Sequence, residues 1–212
     1  MAGLSIYRPA TGLLMLVLFV LSGCSFNATY HPDYVTHRPA ETNLRFPGKT
    51  MVYTSVEDDN YIYSGSPTSF TGGGTTLELP LGYITREVSA EVLKHICTGG
   101  VSESGSLADL ESYQLIMHPR VTHFEYAYNQ LKNAGFAVTP QAIISLKMET
   151  YDQDGNIILS KSYDSGLVDG ETYMFSGEPA EVLNRLVHAT LADMVEESVI
   201  DSIGASNNFV LH

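Results

Sequence analysis

The chain has 212 residues and a formal net charge of −13, from 24 acids against 11 lysines and arginines. That balance argues against a nucleic-acid partner, whose phosphates would be repelled, and it offers no basic patch to hold the chain on an anionic membrane. The length suits one domain of ordinary size with a real core.

In chain order, the first feature is the apolar run Leu13 to Leu21, preceded by one basic residue, Arg8. It is far shorter than the roughly 20 residues a membrane-spanning helix needs, and it has the form of a secretory signal peptide. It ends in Leu21-Ser22-Gly23-Cys24. Two small residues before a cysteine closely resemble the lipobox of bacterial lipoproteins, although such peptides often carry more than one basic residue at their start. The resemblance implies cleavage between Gly23 and Cys24, and acylation of the Cys24 thiol and new amino group with palmitate-class chains. Several chains would anchor the protein, because each buried methylene contributes about 0.8 kcal/mol and one chain binds only marginally. Ser25 in place of Asp implies, in the resembled class, an outer-membrane anchor facing the periplasm. Removal of residues 1–23, which carry Arg8 and no acid, leaves 189 residues and moves the net charge from −13 to −14. With Cys24 committed to lipid, Cys97 has no disulfide partner.

Residues 24–50 are polar and interrupted by Pro32, Pro39 and Pro47, with no sustained period. They read as a lipidated, extended tether able to reach on the order of 80 Å. A single domain is expected over 51–204. Met51 to Val56 is its first strand, and the Ser, Thr and Gly of 64–76 read as a flexible loop with a mobile Gly72-Gly73-Gly74. Leu77 to Leu81 leads into a helix over about 82–97, with Ile84, Val88, Val92 and Ile96 in one stripe. Val101 to Glu111 is an acidic, serine-rich loop.

Tyr113 to Tyr128 reads as one long strand with a bulge or edge at Pro119. Phe136 to Tyr151 is the next, joined through a tight turn at Asp154-Gly155 to a return strand over 157–164. Pro179 opens a second helix whose face holds Leu183, Leu186, Val187, Leu191, Met194 and Val195. Gly204 is expected to stop it, leaving 205–212 as a loose tail. The order predicts an α+β fold: an antiparallel or mixed sheet of about four strands with two amphipathic helices packed on one face.

Candidate chemistry is sparse. Counted from Asp152 as a calcium loop, position six is Ile157 where glycine is needed and position twelve is Tyr163 where glutamate is needed, so the turn reading wins. His118 and His123, five apart, point to opposite faces of an uninterrupted strand unless a bulge corrects the register. Cys97 lacks a second cysteine, and His95 does not face it on the helix. No catalytic residue, metal site or cofactor is therefore expected. The row Phe124, Tyr126, Tyr128 shares one strand face. It packs beneath a helix or forms a partner-binding surface that Tyr53, Tyr61 and Tyr63 extend, since tyrosine presents apolar area with a polar tip.

From the helix at 82–97, the strand pair, the Asp-Gly hairpin and the final helix, residues 75–203 resemble the small α/β domains of envelope transport and assembly lipoproteins. These include lipopolysaccharide-assembly lipoproteins and auxiliary lipoproteins of lipid transporters. The resemblance implies a non-catalytic accessory or assembly subunit that meets an envelope protein partner. The alternative is a small-ligand or lipid-binding lipoprotein whose helices and sheet enclose an apolar pocket.

Overall fold

A computed structural model describes residues 24–36, 45–130, 137–174 and 179–210. The signal segment with its expected cleavage residue Gly23 lies outside these, as do Pro39, Phe136 and the Ser176–Glu178 approach to the last helix. The described chain is α+β with two sheets, and the main one is mixed and has seven strands where about four were expected. Its centre is a ribbon of two 15-residue strands, β6 (Leu115–Asn129) and β7 (Ala137–Tyr151), paired antiparallel. The outer edge of β7 is filled in succession by β8 (Ile157–Asp164), β9 (Val168–Asp169) and β10 (Tyr173–Met174). On the other side β2 (Thr50–Tyr53) runs parallel to β6, and β5 (Val101–Ser104) runs parallel to β2. The expected acidic loop at 101–111 thus begins as an edge strand. Its four residues have little strand character of their own and are recruited by the open edge of β2.

Two helices cover one face of this sheet, as expected: α3 (Leu81–Ile96) and α4 (Pro179–Val210), which also pack on each other. The α3 stripe Ile84, Val88, Val92 and Ile96 is buried, with Leu93 beside it, as are Leu183, Val187, Leu191 and Val195 of α4. On the sheet the alternate residues Ala142, Ile144, Leu146 and Met148 of β7 face them. Hydroxyls at the seam are satisfied locally. Thr85 and Ser89 donate to carbonyls one turn back, Ser202 donates to Ser198 O, and the Thr150 and Ser202 hydroxyls meet at 2.8 Å. The final helix does not end at Gly204 but runs to Val210. A single glycine costs a helix only about 1 kcal/mol, and Tyr163 and Lys161 of β8 bond Asp201 at 2.8 and 2.7 Å, holding that turn on the sheet.

Pro119 stays in register opposite Met148; the irregularity in β6 falls instead between Val121 and His123. The ladder from β2 stops at Met117, so the edge beside Pro119 needs no donor. The Asp-Gly turn forms as expected: Gly155 has φ +79°, and Asp152 Oδ1 accepts from the backbone N–H groups of Asp154 and Asn156.

The largest departure is at the start. The described parts of the expected tether, 24–36 and 45–50, are folded onto the domain. β1 (Cys24–Asn27) pairs parallel with β4 (Thr75–Leu79), β3 (Tyr63–Gly65) completes a second, three-stranded sheet, and α1 (Asp33–Thr36) packs on α3 and α4. Ala28 and Val35 are buried, and Phe46 bridges to Cys97. The glycine-rich segment expected to be flexible supplies part of β3 and β4, and between them it bonds to β6: Thr68 N–H donates to Tyr126 O at 2.8 Å.

A short helix, α2 (Val56–Asp59), leans on the first turn of α3 at Gly82. A side chain at Gly82 would run into the Asp58 carbonyl, with the Asp59 carbonyl 2.7 Å away. Propensity alone makes Gly82→Ala stabilising by about 1 kcal/mol. The contact reverses the sign, and a loss of about 1–3 kcal/mol is expected in urea unfolding. A raised midpoint would show that the two helices do not meet there.

Candidate functional site

The face of the main sheet turned away from α3 and α4 carries polar side chains from adjacent strands. His118 and Arg120 of β6 stand opposite Glu149 and Lys147 of β7, and His123 stands opposite Ser145. The irregularity at Thr122 therefore puts His118 and His123 on one face. The four-position step between their partners on β7, Glu149 and Ser145, keeps them about 13 Å apart, too far to share a metal ion. Among the described residues no group of three or more His, Cys, Asp or Glu side chains has metal-binding geometry.

His118 is the centre of a network. Its Nε2 is 3.0 Å from Asp58 Oδ2, its Nδ1 is 3.8 Å from Glu149 Oε2, and the Tyr53 ring packs on it at 4.8 Å. The Ser55 hydroxyl donates to Asp58 at 2.6 Å and accepts from its backbone N–H, capping α2. Burial pushes the Asp58 carboxyl up, but the bonds from Ser55 and His118 outweigh it and hold it below its usual range. The Lys147 ammonium, 2.7 Å away, does the same for Glu149. Ser, His and Asp meet here without forming a nucleophilic triad, because the hydroxyl points at the carboxylate and not at the imidazole. The cluster pins α2 to the sheet. Cys97 is buried, accepts a bond from the Thr50 hydroxyl at 3.3 Å, and has its thiol pKa raised by burial. A thiol held protonated in this way is a poor nucleophile.

Phe124, Tyr126 and Tyr128 sit opposite Ile144, Ala142 and Pro140, on the helix-facing side of the sheet, and all three are buried. As a binding surface this row needs correction. The small sheet closes over it: Tyr63 packs edge-on against Phe124 at 4.7 Å, and the Tyr126 hydroxyl donates to Gly65 O. Of the tyrosines expected to extend the row only Tyr63 joins it. Tyr53 packs at a tilt against His118, and Tyr61 is exposed beyond α2.

A residue missed in the sequence organises the chain start. His188 on α4 is fully buried, and its Nε2 accepts the His31 N–H at 3.1 Å while Nδ1 faces Asn184 O at 2.8 Å. One turn earlier the Asn184 amide donates to Thr29 O at 2.7 Å. Tyr30 stacks on the imidazole at 5.5 Å, and Tyr34 meets it edge-on. With both nitrogens used by backbone groups, the ring is a neutral latch, and burial lowers its pKa to about 4. A signal was available, since His188 adjoins the 183–187–191 stripe with Asn184 one turn before it. Beside the latch an open groove of 670 Å³ runs between Phe26–Tyr34 and the first turns of α4 at Pro179, Glu181 and Asn184. Between the helices and the sheet, where an apolar pocket was the alternative, Leu93, Ile144, Leu146 and Leu191 belong to one packed cluster.

Cys24 is the first residue of β1 and lies beside Thr75 in the small sheet. No helix among the described residues is long and apolar enough to cross a membrane.

No family model matches the chain, and no curated protein matches it. Solved structures similar to it include a PelC dodecamer from Paraburkholderia phytofirmans, with 13% identity, 74% of this chain and 90% of that one covered, and a TM-score of 0.40. A neuraminyllactose-binding hemagglutinin homolog from Helicobacter pylori has 9% identity, covers 87% and 100%, and scores 0.44. A minor lipoprotein from Acinetobacter baumannii has 9% identity, covers 76% and 93%, and scores 0.33. Lipoproteins are thus among the similar structures, and at these scores none of them assigns a family or a role.

Proposed function

We propose that the chain is a lipid-anchored domain of the bacterial envelope, held by acyl chains on Cys24 at the outer membrane and facing the periplasm, which acts by contact with another envelope protein and catalyses no reaction. The single observation that carries this reading is the packing of Cys24 into the fold, where it pairs with Thr75 of β4 in the small sheet. Acylation there would hold the domain against the bilayer with no spacer, in place of the long reach an extended tether allows. The polar sheet face with Arg120, His123 and Glu125 is the surface this arrangement leaves to a partner. A second reading, binding of a small ligand, is favoured by the groove between Phe26–Tyr34 and the start of α4.

Membrane fractionation and the mass of the amino-terminal peptide test the anchor. Wild type is expected in the membrane fraction with an acylated Cys24, and Cys24→Ala is expected unprocessed and without acyl chains; normal maturation of that variant overturns the reading. Crosslinking in intact cells then tests the contact role. One reproducible envelope protein captured by the lipidated chain supports it, and capture of the chain alone moves the ligand reading forward.

A further inference from the structure

Near Cys24 the fold holds an aromatic ring out into solvent. Phe70 is fully exposed, at the tip of the connection from β3 to β4. Its position is fixed by the turn that carries it. Gly73 N–H donates to Phe70 O, the Thr75 N–H and hydroxyl both donate to Gly72 O, and the Ser69 hydroxyl accepts the Tyr128 N–H at 2.9 Å. Gly72 takes φ +78°, and a side chain on it would press on the Tyr128 ring at 2.9 Å. The turn is seated on the end of β6, so Phe70 is directed away from the core with no route back to it.

The register places this tip at the anchor. Cys24 pairs with Thr75 and Gly65 with Leu77, so Cys24 and both stems of the Phe70 turn share one end of the small sheet. Adjacent strands lie about 4.8 Å apart, which brings the Cys24 backbone beside Thr75. The same end of the main sheet exposes Met174, paired with Ala137. Charge is absent from both segments. In a strongly acidic chain, residues 24–32 and 60–77 contain no Asp, Glu, Lys or Arg. Among acids of neighbouring segments, Asp169 accepts from the Gln141 amide at 2.7 Å and Glu171 pairs with Arg185 at 2.8 Å, while Glu78 lies three residues beyond Thr75 on β4. A protruding aromatic ring between two uncharged segments can meet an anionic lipid surface that the strongly acidic chain otherwise repels.

We infer that the Phe70 turn is a bilayer contact: Phe70 enters the acyl boundary beside the Cys24 lipids and fixes the domain with its small sheet downward. This rests on the proposed acylation of Cys24. The opposite end of the β6–β7 ribbon, with the Asp-Gly turn, then points into the periplasm on the order of 40 Å away.

The chain has no tryptophan, so Phe70→Trp gives one fluorophore at the contact and Ile157→Trp one at the far, exposed end. Each full-length, lipidated variant is reconstituted in phosphatidylethanolamine–phosphatidylglycerol vesicles with brominated acyl chains. Acylation is read by mass, attachment by flotation, and folding by circular dichroism. The indole of Phe70→Trp is expected to shift to the blue and lose roughly half or more of its fluorescence to bromine, because interfacial groups sit ~5–10 Å into the headgroup and acyl boundary. The indole of Ile157→Trp is expected to stay quenchable only by iodide in the water. An acylated, floating, folded Phe70→Trp protein whose fluorescence resists bromine overturns the contact and leaves the anchor standing. Equal bromine quenching in the two variants overturns the orientation. A chain that is neither acylated nor floating overturns the contact together with the anchor.

Discussion

Tyr126→Ala is expected to lower stability by about 3–5 kcal/mol, the range for emptying a large aromatic site in a packed interior. The ring is 2% exposed and lies between Tyr63, Phe124 and Tyr128, with centroids 6.1, 6.2 and 5.7 Å away. Its removal leaves a cavity under the small sheet and strips Gly65 O of its donor. Tyr126→Phe keeps the volume and loses only the hydroxyl's bonds, to Gly65 O and to Leu77 and Thr75 of β4, at a cost of about 1–2 kcal/mol. Urea unfolding followed by circular dichroism separates the two, with a lower midpoint and an unchanged slope for both variants. A surface role for the row predicts the opposite, an unchanged midpoint with lost partner capture. The same burial raises the Tyr126 phenol pKa to about 12.

This residue marks the limit of what the sequence discloses. Period-two patterning places Phe124, Tyr126 and Tyr128 on one face but cannot say what covers it. The cover is the small sheet, whose strands β1, β3 and β4 are three to five residues long and are drawn from polar and glycine-rich segments. Such strands form because distant partners meet: Cys24 reaches Thr75 across about fifty residues of chain, and no local propensity encodes that pairing. The same holds for β5, recruited by the edge of β2. Long elements are legible because their signals are local. The α3 stripe repeats every turn, and Asp154-Gly155 supplies its own turn geometry. The α4 stripe is legible as well, but its end is not, because a glycine that would stop an isolated helix is tolerated where β8 grips Asp201. The tether misleads for a related reason. Between Ser25 and Thr36 only Ala28 and Val35 become buried apolar anchors, and what receives that segment is His188, a residue that reads as an interruption of an apolar stripe.

His188 sets the second large expectation, a loss of stability in mild acid. The imidazole is fully buried and neutral, with His31 N–H on one nitrogen and Asn184 O beside the other. Tyr30, Tyr34 and the His31 backbone enclose it, and none of these contacts brings a carboxylate to compensate a charge. Burial lowers its pKa from 6.5 to about 4. The unfolded chain therefore takes up a proton below pH 6.5 that the folded chain refuses until about pH 4. The contribution of the neutral ring is complete above pH 6.5 and is lost as the pH falls through that window, about 3 kcal/mol in all. The lowered carboxylates Asp58, Glu149 and Asp201 begin to act only near and below their ordinary values of 3.8 to 4.5, and Glu87, raised by burial and by Glu103, acts with the opposite sign, so a fall in stability from pH 6.5 to 5 reports on the latch. Urea midpoints across that interval are expected to fall for wild type and to lie nearly flat for His188→Gln, which cannot titrate. Parallel slopes would show that the ring is not held neutral. Because the latch binds the segment that follows β1, hydrogen exchange at the His31 amide should accelerate before exchange in β6 and β7. Acid would then loosen the chain beside Cys24 first, while the ribbon that carries the polar sheet face keeps its structure.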